Sequence, residues 1–259
     1  MSDLIESVGE IEALQKWLKL ILSSGQNNGN YLELQNCLLS IEYDERLWDA
    51  FVAFQPSYFR VTGAVGEKGW NRATRVYTTS QHRQSKPSYL ARLLDYPDQP
   101  RKAKKQGVNQ IESIIQDLIA KPGYSCLSFV ILRPADLIDK FRPGYVPCPI
   151  AGDFKFRDSR LDLSIMFRTS DALSVGYADI YYLRELQKQV LNQAQELSDK
   201  TQLTEGTPGS LNLFFSRTYI PKRIKNKNGS SIGGLSLARK LISKLDEFGS
   251  RNELGTSMD

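Results

Sequence analysis

The chain has 259 residues, 41% hydrophobic and 24% charged, the make-up of a folded protein long enough to bury a sizeable core. No apolar run is long enough for a membrane span, the acidic start MSDLIESVGE does not read as a signal peptide, and three scattered cysteines point to a reducing cytoplasm. With a single histidine, His82, a histidine-based metal site or a Ser-His-Asp triad is disfavoured, and a net charge of +5 permits an anionic partner, nucleotide or nucleic acid, without naming one.

In chain order, Leu4, Ile5, Val8, Ile11, Leu14, Trp17, Leu18 and Ile21 recur at helical spacing and predict an amphipathic helix over 3–23. A second helix is expected to include 31–39, after the break SSGQNNGN. Residues 56–108 carry short strand-like pieces such as YFRVTGAV, and the basic run RKAKK at 101–105 reads as a solvated loop or a phosphate contact. NQIESIIQDLIA (109–120) predicts a helix ended by Lys121-Pro122-Gly123, and CLSFVILRP (126–134) a buried strand. Leu161, Leu163, Ile165 and Phe167 alternate with polar neighbours after a turn at Asp158-Ser159-Arg160, as a strand with one apolar face requires. A helix follows over 179–197, then an alternating strand over 209–220. A second basic run, KRIKNK at 222–227, precedes a helix over 236–248, with a frayed tail at 249–259. Helices mixed with hairpin-connected strands argue for one α+β domain spanning 1–259.

The chemistry concentrates between Val146 and Asp179. Cys148 lies between two prolines in VPCPI, which fix the backbone and remove donors, presenting a thiol near a strand start. Taken alone, it reads more readily as an inert buried cysteine than as a nucleophile. Arg168, on the polar face of the following strand, can hold a phosphate by paired hydrogen bonds and favour a nearby thiolate, or it can pair with Asp162 or Asp171. Asp179 sits near a helix N-terminus, where a carboxylate is also welcome as a cap.

The order Pro-Cys, hairpin, Arg168-Thr169-Ser170-Asp171, a helix led by Asp179 and then GSLNLFFSR (209–217) resembles the thymidylate synthase and pyrimidine hydroxymethylase superfamily, with Arg168 following Cys148 by 20 residues as in that family. The likeness covers roughly 88–220. It implies a mixed, mostly antiparallel sheet with helices packed on one face. It further implies that Cys148 adds to pyrimidine C6, that Arg168 and Thr169 bind phosphate, and that Asp171 serves the folate site. Tyr89 would match the family's Tyr-Gly motif as a catalytic residue, and Asn212 would contact the sugar. Asp179 stands where thymidylate synthases carry an Asn that reads the base. An Asp there resembles the deoxycytidylate enzymes, since a protonated carboxyl can match cytosine's acceptor and amino donor.

The resemblance thus implies folate-dependent hydroxymethylation or methylation of a pyrimidine nucleotide at C5, cytosine favoured, with 5,10-methylenetetrahydrofolate as cofactor. It also implies a homodimer through the back of the sheet, for which Leu161, Leu163 and Ile165 are candidates unless they form the chain's own core. Departures favour a second reading, a non-catalytic nucleotide- or nucleic-acid-binding scaffold. The family's Arg pair is replaced by SCLS (125–128), the His after the nucleophile by Pro149, and the sugar-contacting His and Tyr by Asn212 and Phe214, while the catalytic Glu has no evident counterpart.

Overall fold

The structure, a computed structural model, describes residues 3–80, 88–96, 107–137, 146–225 and 231–253. His82, the run at 101–105, part of that at 222–227 and residues 254–259 lie outside them. The elements begin with β1 (Asp3–Val8), α1 (Glu10–Ser24), β2 (Gln26–Asn28), β3 (Tyr31–Glu42), α2 (Glu45–Ala53), α3 (Gln55–Thr62) and α4 (Ala64–Thr78). They continue with α5 (Tyr89–Leu94), α6 (Gln110–Ala120), β4 (Leu127–Val130), β5 (Pro149–Arg157), β6 (Arg160–Phe167) and β7 (Ser170–Asp171). The chain then forms α7 (Gly176–Leu197), α8 (Thr201–Thr204), β8 (Thr207–Pro221), β9 (Arg223–Lys225), β10 (Ser231–Gly233) and α9 (Gly234–Glu253). The class is α+β with a mixed sheet, as the sequence predicts.

Three elements correct the sequence reading. Residues 3–8 form a strand, not the start of a helix: Ile5 and Ser7 are buried while Leu4 and Val8 are each 56% exposed, a period of two. Gly9, at φ 85°, then breaks the chain before α1 in a conformation that favours glycine. Residues 31–42 are strand rather than helix, pairing in parallel with β1 from Asp3↔Cys37 to Val8↔Glu42. YFRVTGAV is the end of α3 and the start of α4, broken at Gly63 (φ 53°), since Pro56 suits a first helical turn and Phe54, Tyr58 and Thr62 bury at a spacing of four. At the C-terminus α9 runs to Glu253, so the first residues expected to fray are helical.

Two compact units make up the chain. The first comprises Met1–Arg72, Thr169–Tyr181 and Phe214–Asp259; the second comprises Ala73–Arg168 and Tyr182–Leu213. In the first, the strand order is β1-β3-β8, with β2 antiparallel to β3 and β7 parallel to β8. Leu14, Trp17, Leu18 and Ile21 form the buried stripe of α1, and the Trp17 ring stacks on Phe215 at 4.6 Å.

In the second, the order is β8-β6-β5-β4. Asp158 and Ser159 take positive φ (48° and 57°), the two-residue geometry that matches strand twist and joins β5 to β6. Register then sorts the faces. Leu127↔Phe154↔Leu163 and Phe129↔Gly152↔Ile165 line the covered face, whereas Val130↔Ala151↔Met166 and Ser128↔Asp153↔Ser164 line the open one. Leu161, Leu163 and Ile165 are 0%, 0% and 2% exposed, so they belong to this chain's own core and are not a face for a second copy. Helix α7 docks on the covered side through two buried polar side chains: Arg184 donates to the Gly209 carbonyl at 2.8 Å, and Gln187 to that of Ser210 at 3.2 Å.

Candidate functional site

Within the second unit, the sequence-predicted residues Cys148, Tyr89 and Arg168 come together. Pro149 opens β5 opposite Phe167, and both are buried. Alternation therefore gives Cys148 and Arg168 the open face, where Cys148 is half-buried and Arg168 exposed. The Arg168 N–H donates to the Cys148 carbonyl at 2.8 Å, the Cys148 N–H donates to the Tyr89 hydroxyl oxygen at 3.3 Å, and Arg168 Nη2 donates to the Val146 carbonyl at 3.5 Å. The short Val146–Cys148 run is thus held on one side by the Tyr89 hydroxyl and on the other by the arginine. Asn212 of β8 donates to Ser164 Oγ at 3.5 Å, and Ser164 shares the Arg168 face of β6.

Tyr89 is fixed from behind. Ser88 caps α5 by accepting from the Ala91 N–H, and the Tyr89 ring meets Tyr77 edge-on at 5.0 Å. Tyr77 in turn stacks on Tyr182 at 5.2 Å, whose hydroxyl shares a 2.6 Å hydrogen bond with Thr74. One turn along α5, buried Arg92 donates to both oxygens of buried Asp136, at 2.5 and 2.9 Å, and to the Ile131 carbonyl. Burial works to raise the Asp136 pKa, but hydrogen bonds from Arg92 and Arg133 and the Arg92 charge bring it below the ordinary carboxylate value.

The other cysteines differ in kind. Cys37 is fully buried on β3, and burial, helped by the Asp3 charge, pushes its thiol up to about 12. Cys126 is exposed.

Thr169, Asp171 and Asp179 belong to the first unit. Thr169 is half-buried, with its hydroxyl oxygen buried and unpaired in the structure. Asp179, buried on the first turn of α7, accepts from the Ser170 hydroxyl at 3.1 Å. Asp171, half-buried, accepts from the Ser174 N–H at 3.1 Å. Burial holds the Asp171 carboxyl above its ordinary value, against hydrogen bonds from Ser174 and the Arg72 charge.

Sequence reasoning missed Tyr58, Ser170 and Ser174, which surround these two carboxylates. Tyr58 was hidden because its segment resembles a strand; its signal was the four-residue spacing with Phe54 and Thr62. No protein-family model matches the chain, and no curated protein matches it.

Proposed function

We propose that this protein transfers a one-carbon unit to C5 of a pyrimidine nucleotide, through a covalent bond between Cys148 and C6. The observation that carries this reading is the pairing of the Cys148 and Arg168 backbones at the open end of the β5–β6 hairpin, with the Tyr89 hydroxyl on the Cys148 amide. A half-buried Cys148 whose backbone pairs with that of an exposed Arg168 suits a nucleophile that meets a phosphate-bearing ligand.

The chemistry assigned to this chain is short. The Cys148 thiolate adds to C6, and the electron pair of the C5–C6 double bond makes C5 nucleophilic. C5 gains the one-carbon unit and its proton passes to water; water completes a hydroxymethyl group, or a hydride supplied by the folate a methyl, and expulsion of the thiolate re-forms the double bond. Arg168, with Thr169 beside it in sequence, binds the phosphate. By the resemblance alone, Asn212 is assigned the sugar and Asp179 the base, with a preference for cytosine. Tyr89 keeps the Cys148 amide, and hence the thiol, in place.

The carbon at the methylene level comes from 5,10-methylenetetrahydrofolate. Asp171 fits such a group: one oxygen accepts from the Ser174 N–H, and a carboxylate retains acceptor capacity for the N–H donors of a pterin. A homodimer belongs to the same proposal, on a surface other than the open sheet face, which carries Cys148 and Arg168. Cytosine and uracil nucleotides tritiated at C5 test the reading. Folate-stimulated release from the cytosine nucleotide is expected, and binding without release from either, with or without folate, would favour the non-catalytic scaffold.

A further inference from the structure

The segment from Asp171 to Val175 connects the two candidate carboxylates of the first unit, and it is held unusually tightly for a connection. The Tyr58 hydroxyl lies within hydrogen-bond reach of two successive carbonyls, Leu173 at 3.0 Å and Ser174 at 3.3 Å. Tyr58 itself is 1% exposed, stacks on Tyr177 at 4.6 Å, and has its own carbonyl occupied by the Thr62 hydroxyl at 2.6 Å. From the α4 side, Gly69 packs so closely that a Cβ there would stand 1.7 Å from the Ser174 carbonyl oxygen and 2.6 Å from its carbon. Backbone atoms cannot yield as a flexible side chain does, so only glycine permits this approach. Three residues along the same helix, Arg72 is close enough for its charge to act on Asp171. At the other end, Ala172 N–H donates to the Tyr219 carbonyl at 3.0 Å, and Asp179 N–H donates to that of Val175 at 2.8 Å.

We propose that Tyr58 and Gly69 are positioning residues that clamp the Leu173–Ser174 peptide and thereby fix Asp171 and Asp179 in their binding geometry. Tyr58 anchors the two carbonyls and Gly69 lets α4 close on them. The Ser174 N–H is then aimed at Asp171, while Ser170 holds Asp179. The ligand-reading role of the two carboxylates rests on the function proposed above; the clamp itself does not.

The test is carboxyl NMR titration of the full chain, with Asp171 assigned by its loss in Asp171→Asn. Arg72 of α4 acts on it by its charge, and Asp171 and Asp179 of α7 both act on Tyr58 of α3. In wild type Asp171 titrates above the ordinary aspartate value. Removing the clamp in Tyr58→Phe admits water to the carboxyl, and the midpoint falls toward the ordinary value. Gly69→Ala produces the same fall, and if that variant does not fold, Tyr58→Phe decides. The core substitution Ile21→Val, far from Asp171 in sequence and fully buried, lowers thermal stability without moving the midpoint. An unmoved Asp171 midpoint in folded Tyr58→Phe, or an equal movement in Ile21→Val, would overturn the clamp. If wild type releases no C5 tritium, the functional reading falls, while the titration still decides the clamp.

Discussion

Cys148 and Arg168 share a backbone hydrogen bond, and the roles proposed for their side chains can be separated by substitution. Arg168→Ala should weaken phosphorylated ligands by about 1.5–3 kcal/mol, the worth of a charge-assisted hydrogen bond, and leave the corresponding nucleoside unaffected. Calorimetry with nucleotide and nucleoside side by side measures this; equal losses for both would mean that the guanidinium does not hold the phosphate. Asp179→Asn changes a carboxyl that needs a proton to mimic an amide into one that does not. It should move the ratio of cytosine to uracil binding toward uracil, and an unchanged ratio would remove Asp179 from base reading. The candidate residues Cys148, Arg168 and Asp171 stood out in the sequence because they form a local pattern. Tyr58 and Gly69 were not, since a hydroxyl on two distant carbonyls and the space beside a glycine leave no mark on nearby spacing.

At the scale of elements, α5 carries Tyr89 toward the Cys148 amide, and the Arg92–Asp136 pair ties that helix to the chain beyond β4. Breaking a buried pair leaves a buried charge without compensation, so Asp136→Asn should cost about 3–5 kcal/mol at neutral pH. Because the folded-state pKa of Asp136 is depressed, its stabilisation is present above the unfolded carboxylate value and lost as pH falls through the folded one. The deficit of Asp136→Asn against wild type should therefore shrink on acidification, as urea unfolding at neutral and acid pH would show. A deficit independent of pH would mean that the pair adds nothing beyond packing. Legibility varied with local geometry. The β5–β6 hairpin and α6 were plain, the one from strict alternation and the other from its Asn109 cap and apolar stripe. In β3, Asn36 at φ 55° lies where the buried positions change parity, from Leu32 and Leu34 to Cys37, Leu39 and Ile41. The resulting three-residue step from Leu34 to Cys37 imitates a helical turn. In β1 the exposed Leu4 and Val8 completed a false helical stripe with α1.

For the molecule as a whole, the α+β class was legible because strands and helices alternate with clear periods. Which apolar strand face is covered within the chain was not, because a core and an interface ask for the same residues. The buried Leu161, Leu163 and Ile165 take that face out of the proposed dimer contact, and the opposite face carries Cys148 and Arg168. Sedimentation at micromolar concentration should give a dimer; a wild-type monomer would remove the dimer from the account. The covalent role of Cys148 is tested most directly with a pyrimidine nucleotide carrying fluorine at C5, which cannot be lost as a proton. Incubated with 5,10-methylenetetrahydrofolate and followed by mass spectrometry, the wild-type chain should gain the mass of the nucleotide and folate on the peptide containing Cys148, and Cys148→Ala should gain none. A wild-type chain that binds the analogue without any covalent gain, or an adduct that survives in Cys148→Ala, would contradict it.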